Sequence, residues 1–86
     1  MKWEEIKRKY PSQWLVIEAL DAETEDRKRN LNEIAIVDLF KENELALKRY
    51  LELHKKAPER ELYVAHTSRE ELDIEEIKWA GVRGAL

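Results

Sequence analysis

The spacing of apolar positions changes along the chain, and each spacing predicts an element. Trp3, Ile6 and Tyr10 fall at i, i+3 and i+7, the spacing of one helical face. Pro11 ends that helix, because a proline drives the residue before it out of the helical region. QWLVIEAL, residues 13–20, reads as a strand. Trp14, Val16 and Leu20 share one face with Glu18, and Leu15, Ile17 and Ala19 share the other. Its β-branched and aromatic content favours strand over helix. Residues 21–30, DAETEDRKRN, have no large apolar side chain and predict an exposed arm. The arm is acidic first and basic second, so a reversal near Asp26 would set opposite charges face to face. With no glycine there, a loop longer than a two-residue turn is expected. LNEIAIVDLF, residues 31–40, is a second strand. Its IAIV core is apolar on both faces, which predicts a strand interior to the sheet.

From Asn43, a candidate N-cap, to about Lys56 the pattern is helical again. Leu47, Tyr50, Leu51 and His54 form an i, i+3, i+4, i+7 stripe flanked by Ala46, Leu53 and Ala57. Lys55 and Lys56 suit the C-terminal end and Pro58 closes it. ELYVAHT, residues 61–67, is a third strand with Leu62, Val64 and His66 on one face. Beyond it Leu72 and Ile74 alternate like a fourth, acidic edge strand, while Ile74 and Ile77 also fit a helical turn; for residues 70–79 both readings stand. The order is α-β-β-α-β-(β). It predicts an α+β fold: a small mixed sheet of three to four strands, with one long helix and a short N-terminal helix packed on one face.

Composition narrows what such a fold does. At 86 residues the chain is a single domain, 1–86, with a modest core. Charged residues make up 41% and hydrophobic ones 43%, too apolar for disorder and too charged for a bilayer. No apolar run approaches the ~20 residues of a membrane span, and MKWEEIKRKY lacks the apolar stretch of a signal peptide. No cysteine is present, so no disulfide or thiolate metal site is expected and the cytoplasm is the simplest compartment. Residues 1–60 carry 13 Lys/Arg and 13 Asp/Glu, and residues 61–86 carry 3 and 6, which is the whole net charge of −3. The basic clusters each lie beside carboxylates, which argues against nucleic acid. Arg27, Lys28 and Arg29 are the one segment that could make a weak contact of that kind.

The residues that invite chemistry lie in YVAHTSREELDIEE, 63–76. A hydrolase reading takes Ser68 as nucleophile, His66 as base and Glu71, or a neighbouring acid, to orient the ring. Adjacent strand residues face opposite sides, so Thr67 cannot serve His66, and no glycine is near to shape an oxyanion hole. The structural reading is a turn or a capping box, in which Ser68 and Glu71, or Thr67 and Glu70, satisfy each other's backbone donors. His54 and His66 could approach one another, but their spacing matches no metal pattern, and neither metal nor cofactor is expected. The acidic run reads as a solvated edge that discourages sheet-to-sheet pairing. Trp14 suits the core; Trp3 and Trp79 are core or interface residues.

MKWEEI, YP and Trp14 at the front, and LELHKKAPERELYVAHTSREELDIEE followed by KW, Gly81 and Arg83, carry a resemblance. The chain resembles a group of small bacterial proteins of about this length with no assigned activity. Their genes can lie beside genes for small retropepsin-like aspartic proteases, which implies at most a protein partner. No catalytic residue carries over. The expectation is a non-enzymatic interaction or regulatory module, with self-association as a homodimer one form of it. Arg27, Lys28, Arg29, Trp3 and Trp79 are its candidate interaction residues. The alternative is a small hydrolase or ligand-binding protein using His66 and Ser68 with a carboxylate.

Overall fold

A computed structural model describes residues 1–72 and 74. The elements are α1 (Trp3–Lys9), β1 (Trp14–Glu25), β2 (Lys28–Phe40), α2 (Asn43–Lys56) and β3 (Leu62–His66). The α+β class and the order α-β-β-α-β are those expected from the sequence. The sheet has three strands in the order β2-β1-β3, and both pairings are antiparallel. β2 and β3 therefore run parallel to each other on either side of β1.

β1, not β2, is the interior strand, which corrects the reading of IAIV. The strand is apolar on both sides because both faces of the sheet are covered, not because both of its edges are paired. Its outer edge is nonetheless occupied at two points. Ile34 N–H donates to Met1 C=O at 2.9 Å, and Arg29 N–H donates to Ile74 C=O at 2.9 Å.

Pleating sorts the core into two layers. Leu15 and Ile17 turn to one face, where they pack with Ile34, Ala65 and the α1 residues Trp3 and Ile6. Val16, fully buried, turns to the other face, together with its cross-strand neighbour Val64 and with Leu62 opposite Glu18. The remaining element, α2, covers this second layer with its buried Ala46. The two helices thus lie on opposite faces instead of sharing one. One helix on each side removes both apolar faces of the sheet from water.

The charged arm is not a loop. β1 and β2 continue through it as a hairpin that closes on Asp26 and Arg27, with Glu25 paired to Lys28. Asp26 and Arg27 have φ of 50° and 67°. Two consecutive left-handed residues are what a type I′ turn requires, because its twist matches that of the strands. The expectation of a longer loop fails here: Asp tolerates the conformation, and Arg27 is held in it by the ladder on either side. Register shifts at Val16/Ile17 and on both sides of Asp21 bend the hairpin.

α2 buries the Ala46 flank of its apolar pattern and leaves part of the stripe exposed. Ala46 is fully buried and Tyr50, Leu53 and Ala57 are half-buried, whereas Leu47 and Leu51 are 43% and 62% exposed. Its N-cap is Glu42 with no side-chain hydrogen bond; Asn43 is the first helical residue. Thr67 and Ser68 cap no helix either. Thr67 extends the sheet: its N–H donates to Gln13 C=O and its Oγ1 accepts from Gln13 N–H, both at 2.9 Å. Residues 67–71 then form turns and bends that bring the chain across the end of α1.

Candidate functional site

His66 ends β3 and faces the α2 side, where its ring meets the edge of Trp14 with centroids 4.9 Å apart at 68°. The chain reverses behind it, and Arg69 N–H donates to His66 C=O at 3.1 Å. That reversal carries Ser68 back over the imidazole. Ser68 N–H donates to His66 Nδ1 at 3.1 Å, and Ser68 Oγ lies 2.8 Å from the same nitrogen. An Nδ1 that accepts the amide proton holds none of its own, so the neutral ring is protonated at Nε2 and the serine hydroxyl shares the single Nδ1 lone pair with the amide. The hydroxyl–imidazole half of a nucleophilic dyad is therefore present.

The acid that would orient the ring is not brought to it among the described residues. Glu71 instead lines a cleft with Lys28, Arg29 and Leu72. The turn that makes the dyad is also its structural explanation, since Nδ1 satisfies the amide of a tight reversal. No group of three or more His, Asp or Glu side chains among the described residues is placed to hold a metal ion, and His54 stacks on Tyr50 at 5.7 Å.

The basic segment 27–29 is divided by the curl of the hairpin. Arg27 and Lys28 are exposed at its tip. Arg29 reaches back to the chain just before β3 and grips Glu61 with two hydrogen bonds of 2.8 Å each. Tyr63, two residues on and on the same face, donates its hydroxyl to Glu61 at 2.7 Å. The Arg29 guanidinium holds the Glu61 carboxyl below its ordinary range, against the opposing effect of burial and with help from Tyr63. Burial first, then the bond to Glu61, pushes the Tyr63 phenol up to about 12. A second fork, Arg60 on Glu18 at 2.8 and 3.2 Å, pins the other face and lowers Glu18. The sequence did not reveal the Arg29 contact because it depends on the bent arm. Glu61 and Tyr63 at i and i+2 were its only local sign.

Trp3 is 9% exposed, and its indole N–H donates to Arg69 C=O at 3.0 Å, so it anchors the chain after β3 to α1. Trp79 lies outside the described residues, as do the strand-or-helix question beyond Ile74 and most of the acidic run. A cleft of about 230 Å³ between Trp3, Arg29, Leu31, Glu70 and Leu72 and another of about 320 Å³ beside it are lined by charges of both signs. Neither focuses one sign of charge on a ligand.

The described surface does carry an apolar flank. Leu47 and Leu51 stand one helical turn apart on α2, flanked by Tyr50 and His54. Arg49, on the opposite flank, pairs with Asp38 of β2 at 3.5 Å. The leucine flank therefore looks toward β3. That strand, LYVAH, has no charged side chain and no proline, and its outer edge has no partner among the described residues. No helix among them is long and apolar enough to cross a membrane.

No family model, curated protein or solved structure matches the chain.

Proposed function

We propose that this chain is a non-enzymatic protein-interaction module that engages its partner through the leucine flank of α2 and the neighbouring edge of β3. The observation that carries this reading is the exposure of Leu47 and Leu51, 43% and 62%, on the side of the helix nearest an uncharged strand edge. Sheet edges are ordinarily protected by charges, prolines or bulges. An apolar flank beside an unprotected edge is the arrangement used for strand addition and helix docking. The implied protein partner of the resembling bacterial chains agrees with it, and the cysteine-free composition suits the cytoplasm. The test is affinity capture from the native host with the wild-type chain and with a Leu47→Asp/Leu51→Asp variant of unchanged circular dichroism. Proteins retained by the first and lost by the second support the reading. An identical retained set with both chains overturns it.

One observation favours a second reading, a small serine hydrolase: the 2.8 Å contact between Ser68 Oγ and His66 Nδ1. Labelling by a fluorophosphonate that disappears in both Ser68→Ala and His66→Ala would support it. Equal labelling of the wild type and Ser68→Ala would remove it.

A further inference from the structure

The backbone of β3 says which of its groups await a partner. Ala19 N–H donates to Glu61 C=O and Thr67 N–H donates to Gln13 C=O, both at 2.9 Å. Bonded and non-bonded pairs alternate along an antiparallel ladder. Residues 61, 63, 65 and 67 therefore turn their amide groups to β1. Leu62, Val64 and His66 turn theirs outward, with only the His66 C=O already used, by Arg69 N–H.

We infer that the partner is a second copy of this chain, paired antiparallel through β3 about a two-fold axis at Val64; this rests on the interaction reading above. The strand is self-complementary about that point. Val64 would form a bonded pair with the partner's Val64, and Leu62 with the partner's His66, whose C=O would accept a second N–H beside that of Arg69, leaving the β1 ladder untouched. The two sheets become one of six strands, and both β3 edges disappear.

The same axis sets the two α2 helices antiparallel on one face of the joined sheet, with their leucine flanks turned to each other. In the proposed dimer the axis also crosses the middle of the stripe, which puts Leu47 against the partner's Leu51. It also puts Glu44, in the first turn, toward the partner's His54 and the partner's Lys55 at the basic end. Opposite charges thus close both ends of an apolar centre, and each helix end meets the charge its dipole favours. A second copy placed in this way answers the free edge, the exposed leucines and these charges together.

The experiment is sedimentation equilibrium of the whole chain from about 1 to about 500 μM, the span that brackets weak and moderate dimers. The expected result is a twofold mass at the upper end, lost in Val64→Pro. Of the hydrogen-bonding groups that proline removes an outward N–H and leaves the β1 ladder in place, although it also replaces the half-buried Val64 side chain. The absence of native cysteine permits a second measurement that survives any folding defect in Val64→Pro. Paired Val64 Cα atoms would lie about 5.5 Å apart, within disulfide reach. Oxidised Val64→Cys should therefore cross-link at least tenfold faster than Leu20→Cys, on the exposed arm. Glu44→Lys should weaken the dimer, and combining it with Lys55→Glu should restore it. A monomer throughout the range, or equal cross-linking at both positions, overturns the second-copy proposal. The Leu47/Leu51 capture experiment decides the interaction reading separately.

Discussion

Glu61 is the residue on which the most distant parts of the chain converge. Arg29 and Tyr63 both bond its carboxylate, and its own carbonyl holds the start of the β1–β3 ladder. The half-buried, two-pronged ion pair fixes the arm against the sheet more firmly than an exposed pair can. Arg29→Met is expected to lower stability by about 1–2 kcal/mol, as for other partly buried charged hydrogen bonds, measured by urea unfolding at neutral pH. The pH dependence follows from the direction of the shifts. Glu61 and Glu18 are held below their ordinary value of 4.5, so their stabilisation is present above that pH and is lost as pH falls through their lower folded values. The urea midpoint should decline below about pH 4.5, and the decline should be shallower in Glu61→Gln, which has no such proton to take up. Tyr63 works in the opposite sense. Its phenol, raised to about 12, keeps its stabilising proton until the pH rises through that value. Ultraviolet titration should show a tyrosine step near there that Tyr63→Phe abolishes.

Among the elements, the hairpin and α2 show how far the sequence could be read. The strands of the core were legible because Leu15, Ile17, Val64 and their neighbours repeat with a period of two, and the chain reversal near Asp26 followed from the segregated charges. The tight turn was not legible, because its usual marker is glycine and the position is filled by Arg27. Arg27→Gly should relieve the left-handed strain and raise stability by about 1 kcal/mol, seen as a higher melting temperature with an unchanged native spectrum. In α2 the sequence gives two overlapping stripes. One runs through Ala46, Tyr50, Leu53 and Ala57; the other through Leu47, Tyr50, Leu51 and His54. Pattern alone does not choose between them; the smaller Ala46 is what lets the helix approach the sheet, and Leu47 and Leu51 stay exposed. Ala46→Leu should cost about 1–3 kcal/mol by overpacking, while Leu51→Ser should change the stability of the monomer by less than about 0.5 kcal/mol. The candidate site was half legible. His66 and Ser68 do meet, but the backbone reversal that joins them, like the curl that takes Arg29 to Glu61, depends on contacts far apart in sequence.

At the scale of the molecule, three strands divide the described residues into two thin layers. Neither layer is deep, so stability depends on the one strand both layers share. Leu15, Val16 and Ile17 are consecutive and fully buried, alternating between the α1 and α2 sides. A domain of this size is stable by roughly 4–13 kcal/mol at 0.05–0.15 kcal/mol per residue. Truncating a fully buried isoleucine costs about 2–5 kcal/mol. Ile17→Ala should therefore remove a large share of the total and shift the urea midpoint sharply. Leu20→Ala, three residues along the same strand but 59% exposed, should leave the midpoint nearly unchanged. The contrast separates the ordered centre of β1 from its arm, and it bears on association too. If two copies join through β3, ligand-like mass action stabilises the folded state, and the melting temperature must rise with protein concentration. Ile17→Ala should then regain part of its lost stability at high concentration, whereas Ile17→Ala/Val64→Pro should not. Thermal scans at two concentrations tenfold apart measure both effects, and a melting temperature independent of concentration in the wild type and in Ile17→Ala would mean that the β3 edge contributes nothing to holding this chain folded.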